Sequence, residues 1–491
     1  MMLPYFIIIP LLATFLITLI AGKKDNWAIA ISFIAVSALT VLSAISFFGQ
    51  NHQTLVYEMS AWKIPYGICL VQDALTTFML LTVAIISLTS LIFSIKYIRH
   101  LWVDWKYYAL FMILLVGMNG VIVTGDLFNL FVFMEIALFA AFGLVAYGGR
   151  ASEFEASFKY TIMGSVSSSL ILFAIAITYS ATSTLTMAKI AEVIPQVNPK
   201  ITLWVGALFL VGFGLKAAIV PFHAWLPDAH SSAPAPISAM LSGVLIKSLG
   251  IYTLIRIFYN VLGAPTVFMQ IFLVIGTISI LSGAFLAAGQ NDFKRLLAYS
   301  SISQIGYIFL GMGLNTTLGM LGAIFHLFSH ALFKSLLFYN SGAIEMGLGT
   351  RDLKQMGNVT KLMPVSAHTS MIASLAISGI PPFNGFFSKL IIIIAALQAN
   401  QFAYALLAVI GSIVTLAYFM KVQRYAFRGE NRIEKLKNKI DWGMNTAMIV
   451  LAVLCVVTSV LVIPGIRELT LDPVVTAIMN KAHYAQIVLG R

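Results

Sequence analysis

The sequence predicts an all-α polytopic membrane protein of about fourteen transmembrane helices, and three observations predict it. Hydrophobic residues make up 60% of the chain and charged residues 10%, far outside the balance of a soluble globular protein. The apolar residues fall into runs of roughly 18 to 25, each long enough for a spanning helix. Ten-residue segments of alternating polarity, the mark of a spanning β-barrel, do not occur.

Hydropathy windows place the spans at Leu3 to Ala21, Trp27 to Phe48, Leu70 to Phe93, Tyr107 to Val123, Leu127 to Tyr147, Phe158 to Tyr179 and Ile201 to Val220. They continue at Pro236 to Phe258, Val267 to Ala288, Tyr299 to Leu314, Leu318 to Tyr339, Met363 to Leu397, Phe402 to Phe427 and Trp442 to Ile463. The twelfth run is too long for one straight crossing and is interrupted at Pro381, Pro382 and Gly385. The first run lacks a basic leader and a small-residue cleavage site, so it is expected to be a retained helix rather than a signal peptide.

The basic excess, a formal +12, reports orientation before it reports nucleic acid, and no nucleic-acid partner is expected. Odd-numbered loops hold Lys23 and Lys24; Lys96, Arg99 and Lys106; Arg150 and Lys159; Lys294 and Arg295; Arg351, Lys354 and Lys361; and the basic connector from Arg424 through Arg428, Arg432, Lys435 and Lys437 to Lys439. Even-numbered loops hold little beyond Lys63, Lys189 and Lys200. The positive-inside rule then makes the odd loops cytoplasmic and puts both termini on the outer side of a prokaryotic-type cell membrane. The connector reads as topology and contact with anionic lipid.

In chain order, the first two helices carry no internal charge and read as packing elements. The loop from Gly49 to Gly67 has the polar, aromatic character of a hairpin, and Asp73 reads as an interfacial helix-end residue. Cys69 and Cys455 form no metal-ligand pattern.

The fifth run, GDLFNLFVFMEIALFAAFGLVAYG, places Glu135 about two turns into an apolar span. A carboxylate there either pairs with a cation or takes up a proton. Lys216 lies near the end of the seventh run, just before Pro221, and Lys247 lies inside the eighth, with Ser242 and Ser248 nearby. A charged amine at bilayer depth costs about 2.5 to 3.5 kcal/mol on insertion scales, so each is a functional-site candidate. Interrupted helices free backbone groups that only a protein interior or a water-filled cavity can satisfy. His223, Asp228 and His230 follow the break, either exchanging protons or hydrogen-bonding its open backbone.

The eleventh run, AIFHLFSHALFKSLLFYNSGA, sets His326, His330 and Lys334 at i, i+4 and i+8 on one helical face, along about 12 Å of rise. That spacing suits a proton relay. A metal site would need further ligands, and none is evident nearby, so no metal or other cofactor is expected. In SGIPPFNGFFSKLIIIIAAL of the twelfth run, Lys389 again stands beside an interrupted helix. The seventh run points inward and the twelfth outward, the arrangement expected of inverted repeats.

These strings carry a family likeness. FMEIALF around Glu135, LKAAIVPFHAWLPDAHSSAPAPISAMLSG from Leu215, LIKSLGIY around Lys247, QNDFKRLLAYSSISQIGY from Gln290, HLFSHALFKSLLF from His326 and GIPPFNGFFSK ending at Lys389 together resemble the antiporter-like subunits of respiratory complex I, the Mrp sodium/proton antiporters and the membrane-bound energy-converting hydrogenases. The resemblance implies two inverted five-helix repeats with broken helices 7 and 12. The expected organisation is 1–100 for helices 1 to 3, 101–260 for the first repeat, 261–425 for the second, and 426–491 for the connector, helix 14 and a short tail. It further implies that Glu135 pairs with Lys216, that protons pass Lys247 and the histidines, and that Lys389 ends the path. Some members carry glutamate where this chain has Lys389. With no long extension after helix 14, the chain looks like the D-type subunits of Mrp antiporters or their counterparts in hydrogenase-type or complex I-like assemblies.

The expected function is therefore an ion-translocating subunit of a multisubunit membrane complex, moving protons, exchanged for sodium or driven by a redox partner complex. Other membrane subunits, protons, sodium ions and the lipid bilayer are the expected partners. Direct redox chemistry is not expected, since CxxC arrays, a nucleotide-binding glycine fingerprint and haem-like histidine pairs are missing. A rival reading makes the buried charges mere determinants of helix packing.

Overall fold

The computed structural model describes residues 2–20, 25–49, 53–101, 105–357, 359–429 and 435–490. Lys23, Lys24 and Arg432 of the predicted cytoplasmic loops lie outside these residues, as does Ala21 at the predicted end of the first span.

Among the described residues, twelve helices are long and apolar enough to cross a membrane. Two further crossings complete the predicted fourteen: the sixteen-residue Tyr5–Ile20 and a broken pair, Pro364–Ser378 and Asn384–Gln398. The chain is thus an all-α integral membrane protein. Helices satisfy their own backbone groups, which is what bilayer depth demands.

Several helices outrun their predicted ends because hydropathy windows stop at the first charges, whereas the backbone stays helical into the interface, where long basic side chains reach polar surroundings. The third crossing runs Ala74–Leu101, the sixth Ala151–Thr182 and the eleventh Thr317–Leu348. Lys96, Lys159 and Lys294 are accordingly helical residues. The third helix also starts later than expected, because Cys69–Gln72 pairs antiparallel with Leu55–Glu58, with Leu55 opposite Gln72. This hairpin ends beyond the predicted loop.

Asp73 caps the third helix, its Oδ1 accepting from Thr76 N at 2.9 Å, so it is a helix-end residue. It is not interfacial in its surroundings. Asp73 and Arg256 of the eighth crossing are both buried and ion-paired, and Arg256 also donates to Asn260 Oδ1 at 3.1 Å and Thr76 Oγ1 at 2.9 Å. Asn260 in turn donates to the carbonyls of Ala477 and Ile478, at 2.9 and 3.2 Å. The predicted short tail is therefore ordered as Pro464–Thr470, Asp472–Met479 and Lys481–Val488, against the end of the eighth crossing.

Both predicted breaks are present. The seventh crossing stops at Ala217, turns through Ala218 at φ 54, and resumes at Trp225–Ser232. The twelfth stops at Ser378, turns through Gly379 at φ 78, and resumes at Asn384. Small residues let neighbouring backbones touch, the usual basis of helix association where lipid offers no hydrophobic drive. A Cβ on Gly306 would sit 2.5 Å from the Gly276 carbonyl oxygen, and one on Gly385 only 1.9 Å from that of Ala376. Gly385→Ala must then push the two halves of the broken twelfth crossing apart. The expected result is a loss of at least about 1 to 3 kcal/mol, the usual cost of overpacking, read as a lower thermal midpoint of the purified chain.

Candidate ion path

The candidate titratable residues of the path gather into two groups. In the first, Glu135 on the fifth crossing and Lys216 at the end of the first half of the seventh are joined by Ser168 of the sixth. Ser168 Oγ donates to Glu135 Oε1 and accepts from Lys216 Nζ at 3.0 Å. Lys216 also donates to the Gly164 carbonyl at 2.8 Å. Glu135 and Lys216 are thus joined through a hydroxyl. Lys216 is buried while Glu135 is half-buried. A hydrogen bond to a charged group contributes about 1.5 to 3 kcal/mol, so Ser168→Ala is expected to cut flux in reconstituted vesicles about tenfold. Ser168→Thr, which keeps the hydroxyl, should retain most of it.

The break itself is held by hydrogen bonds that replace the helical ladder. Val220 N donates to Ser279 Oγ at 3.0 Å, and Trp225 Nε1 donates to the Leu215 carbonyl at 3.0 Å. The Trp225 ring stacks on Tyr160 at 4.4 Å. The eighth crossing packs here too, where a Cβ on Gly250 would come within 2.7 Å of Ala217 backbone.

The second group is built around Lys247, Lys334 and Lys389. Lys247 lies where the eighth crossing widens into π-type turns, Leu241–Leu245 and Lys247–Tyr252, a local form frequent at functional sites. Its amine donates to the Ser242 carbonyl five residues back, and Ser242 Oγ meets Ser301 Oγ at 2.8 Å. Lys334 donates to Ser300 Oγ at 2.5 Å. Lys389 donates to the Ile377 carbonyl at 2.7 Å and Ser412 Oγ at 3.1 Å, with its amine 4.6 Å from the Tyr307 ring centre.

The histidines fill the space between these amines. His326 Nδ1 lies 2.9 Å from Ser388 Oγ, one residue before Lys389, and its ring is 5.5 Å from Tyr307 and 6.5 Å from His330. His330 lies within Coulomb range of Lys247 and Lys334. His230 packs on Phe338 at 5.3 Å, the ring over which Lys334 also sits. Among the described residues, both nitrogens of His230 and His330, His326 Nε2, and both polar atoms of Gln304 have no hydrogen-bond partner. Groups of this kind in an interior are those that bridging water satisfies.

The three polar residues after the seventh break are not one group. His230 joins the second cluster. Asp228 lies at the periphery, accepting from Lys159 and Arg295, each at 3.0 Å, in a charged cavity of about 510 Å³ that also includes Lys294, Glu345 and Arg351. His223 is half-buried with Nδ1 unpartnered among the described residues. Among those residues no group of three or more His, Cys, Asp or Glu side chains is placed to hold a metal.

Sequence reasoning missed Ser168, Ser300, Ser301, Gln304, Tyr307, Ser388 and Ser412. Four of them lie in QNDFKRLLAYSSISQIGY, whose polar residues within an apolar run are the available signal.

Residues 124–415 match the family described as NADH:quinone oxidoreductase/Mrp antiporter, TM. The chain is 35% identical over 434 residues to the D-type subunit of the Na(+)/H(+) antiporter of Alkalihalophilus pseudofirmus, covering 87% of each protein. It is 36% identical over 379 residues to the N-type subunit of the NADH-quinone oxidoreductase of Desulforudis audaxviator, covering 76% of this chain and 75% of that one. A chain in the solved Mrp complex from Dietzia sp. superimposes with a TM-score of 0.91 at 27% identity, covering 100% of this chain and 99% of that one.

Proposed function

Because the chain belongs to the NADH:quinone oxidoreductase/Mrp antiporter transmembrane family, we propose that its buried line of titratable side chains carries the ion its complex translocates. The chain is an antiporter-like component of a multisubunit membrane complex, of the D type found in Mrp antiporters. In our reading protons travel along Glu135, Lys216, Lys247, Lys334, His330, His326 and Lys389, with exchange against sodium as the coupled process. Similarity to an N-type relative from an NADH-quinone oxidoreductase favours a second reading, in which the same path serves a redox-driven complex.

One contrast carries the proposal. The ion pair between Asp73 and Arg256 is what a structural buried charge looks like here, with opposite charges in contact. Lys247, Lys334 and Lys389 are equally buried, yet their hydrogen bonds go to neutral hydroxyls and carbonyls. Uncompensated amines at such depth are too costly to all stay charged. Protonation of one must disfavour protonation of the next. At about 10 Å and an effective dielectric near 20 the coupling is about 1.5 to 2 kcal/mol, more than a tenfold change in occupancy. A line of this kind passes charge on.

The matching breaks of the seventh and twelfth crossings support an organisation into repeats over 101–260 and 261–425, flanked by helices 1 to 3 and by the connector with helix 14. The basic bias of the odd loops supports a cell-membrane location with both termini outside. His223 and Asp228 stay at the margins of the path as polar support for the break.

Lys216→Ala is the test. Reconstituted vesicles holding the assembled complex should lose proton transport, and full transport by an assembled variant would overturn the proposal.

A further inference from the structure

We propose that the groove between the first half of the twelfth crossing and the fourteenth crossing is a binding site for one anionic phospholipid, its acyl chain in the groove and its phosphate on Lys361 and Lys439. The groove encloses about 530 Å³, within the range of about 300 to 1,000 Å³ typical of small-molecule sites. Its walls are apolar side chains such as Val365, Ile372, Ile449 and Val453, with His368 and Thr369 the polar ones and no charged residue among the described ones. Val453 and Ile449 are 52% and 46% exposed, so the groove faces outward from the bundle.

Charge complementarity selects the occupant. Each helix that walls the groove is preceded, three residues before its start, by an exposed lysine: Lys361 before Pro364 and Lys439 before Trp442. The two amines thus stand at the same end of the groove, the end at which Trp442 is 80% exposed, the position of an interfacial anchor. From Trp442 to Ile449 the fourteenth helix rises about 10 Å, and to Val457 about 22 Å. That is the depth of an acyl chain in the leaflet on the lysine side, with the headgroup phosphate level with the lysines. His368 Nδ1 is engaged with the Pro364 carbonyl at 2.7 Å, which leaves Nε2 for the ester region. Naming this leaflet cytoplasmic rests on the orientation proposed above; lipid binding itself does not.

Native mass spectrometry of the complex, released from mild detergent after incubation with phosphatidylglycerol or phosphatidylcholine vesicles, tests the site independently of transport. One phosphatidylglycerol should stay with this chain, at about tenfold preference over phosphatidylcholine. Val453→Trp fills the groove from an exposed position and should abolish retention at an unchanged thermal midpoint. Should that variant not fold, Ile449→Trp serves the same purpose. Lys361→Gln with Lys439→Gln should bring the two lipids to parity. Equal retention of both lipids by the unchanged protein would overturn the proposal, as would undiminished retention in a folded groove-filled variant. Disulfide capture of a cysteine at Val453 by a neighbouring protein's helix would do the same.

Discussion

Replacing Asp73 by alanine should destabilise the chain by about 3 to 5 kcal/mol, the cost of leaving one member of a buried ion pair without its partner. Arg256 would keep its charge, since a guanidinium does not deprotonate in proteins. Tyr252, Thr76 and Asn260 offer it only neutral partners. Because Asn260 holds the carbonyls of Ala477 and Ile478, the damage should extend to the three C-terminal helices. Thermal unfolding of the purified chain and protease sensitivity after Met479 are the measurements. A double variant, Asp73→Leu with Arg256→Met, removes both charges and should recover most of the loss. If Asp73→Ala unfolds no earlier than the unchanged chain, this pair is not the structural contrast against which the unpaired lysines are read.

The crossings were legible in the sequence because bilayer thickness sets a minimum apolar length that few soluble segments reach. The breaks at Pro221 and Pro382 were legible because proline both removes a donor and marks the turn. Helix ends were not, since charge halts a hydropathy window but not a backbone, as Lys96 and Lys294 illustrate. The pairing of Asp73 with Arg256 spans 183 positions and depends on which helices pack together, which composition does not encode.

The titratable residues of the proposed path were legible for the reason they are costly: a lysine or glutamate inside an apolar run stands out. The hydroxyls that hold them were not. Serine is common in apolar helices, where it bonds back to a carbonyl of the preceding turn, as Ser87 does to Val83 and Ser94 to Ser90. Ser168 Oγ lies at that same bonding distance from the Gly164 carbonyl, 2.9 Å, while it joins Glu135 to Lys216, and nothing in its own helix distinguishes it. His223, Asp228 and His230 looked like one group because they lie within eight positions, yet the resumed helix turns His230 inward and leaves Asp228 to its two surface cations.

Lys389 offers the sharpest separation between a conducting line and a packing device. Its amine is held by Ile377, Ser412 and the Tyr307 ring, and the Ser412 hydroxyl donates independently to the Ser378 carbonyl at 3.1 Å. Removing the amine therefore strands no charge and should leave the fold intact. A cavity of about 210 Å³ beside it is bordered by Ser378, Ile380 and Ser412, and in the proposed line Lys389 is the last titratable group. Without it, a proton on His326 in that line would lack its next buried site. In the proposed line, losing the group that next takes the proton is expected to slow transfer more than tenfold.

The decisive measurement is proton flux per assembled complex for Lys389→Ala in vesicles, scored alongside the yield of intact complex. The conducting line predicts normal assembly with flux below about a tenth of the unchanged protein. Normal flux per complex, with or without a fall in assembly, would contradict it and return these lysines to the role of packing determinants.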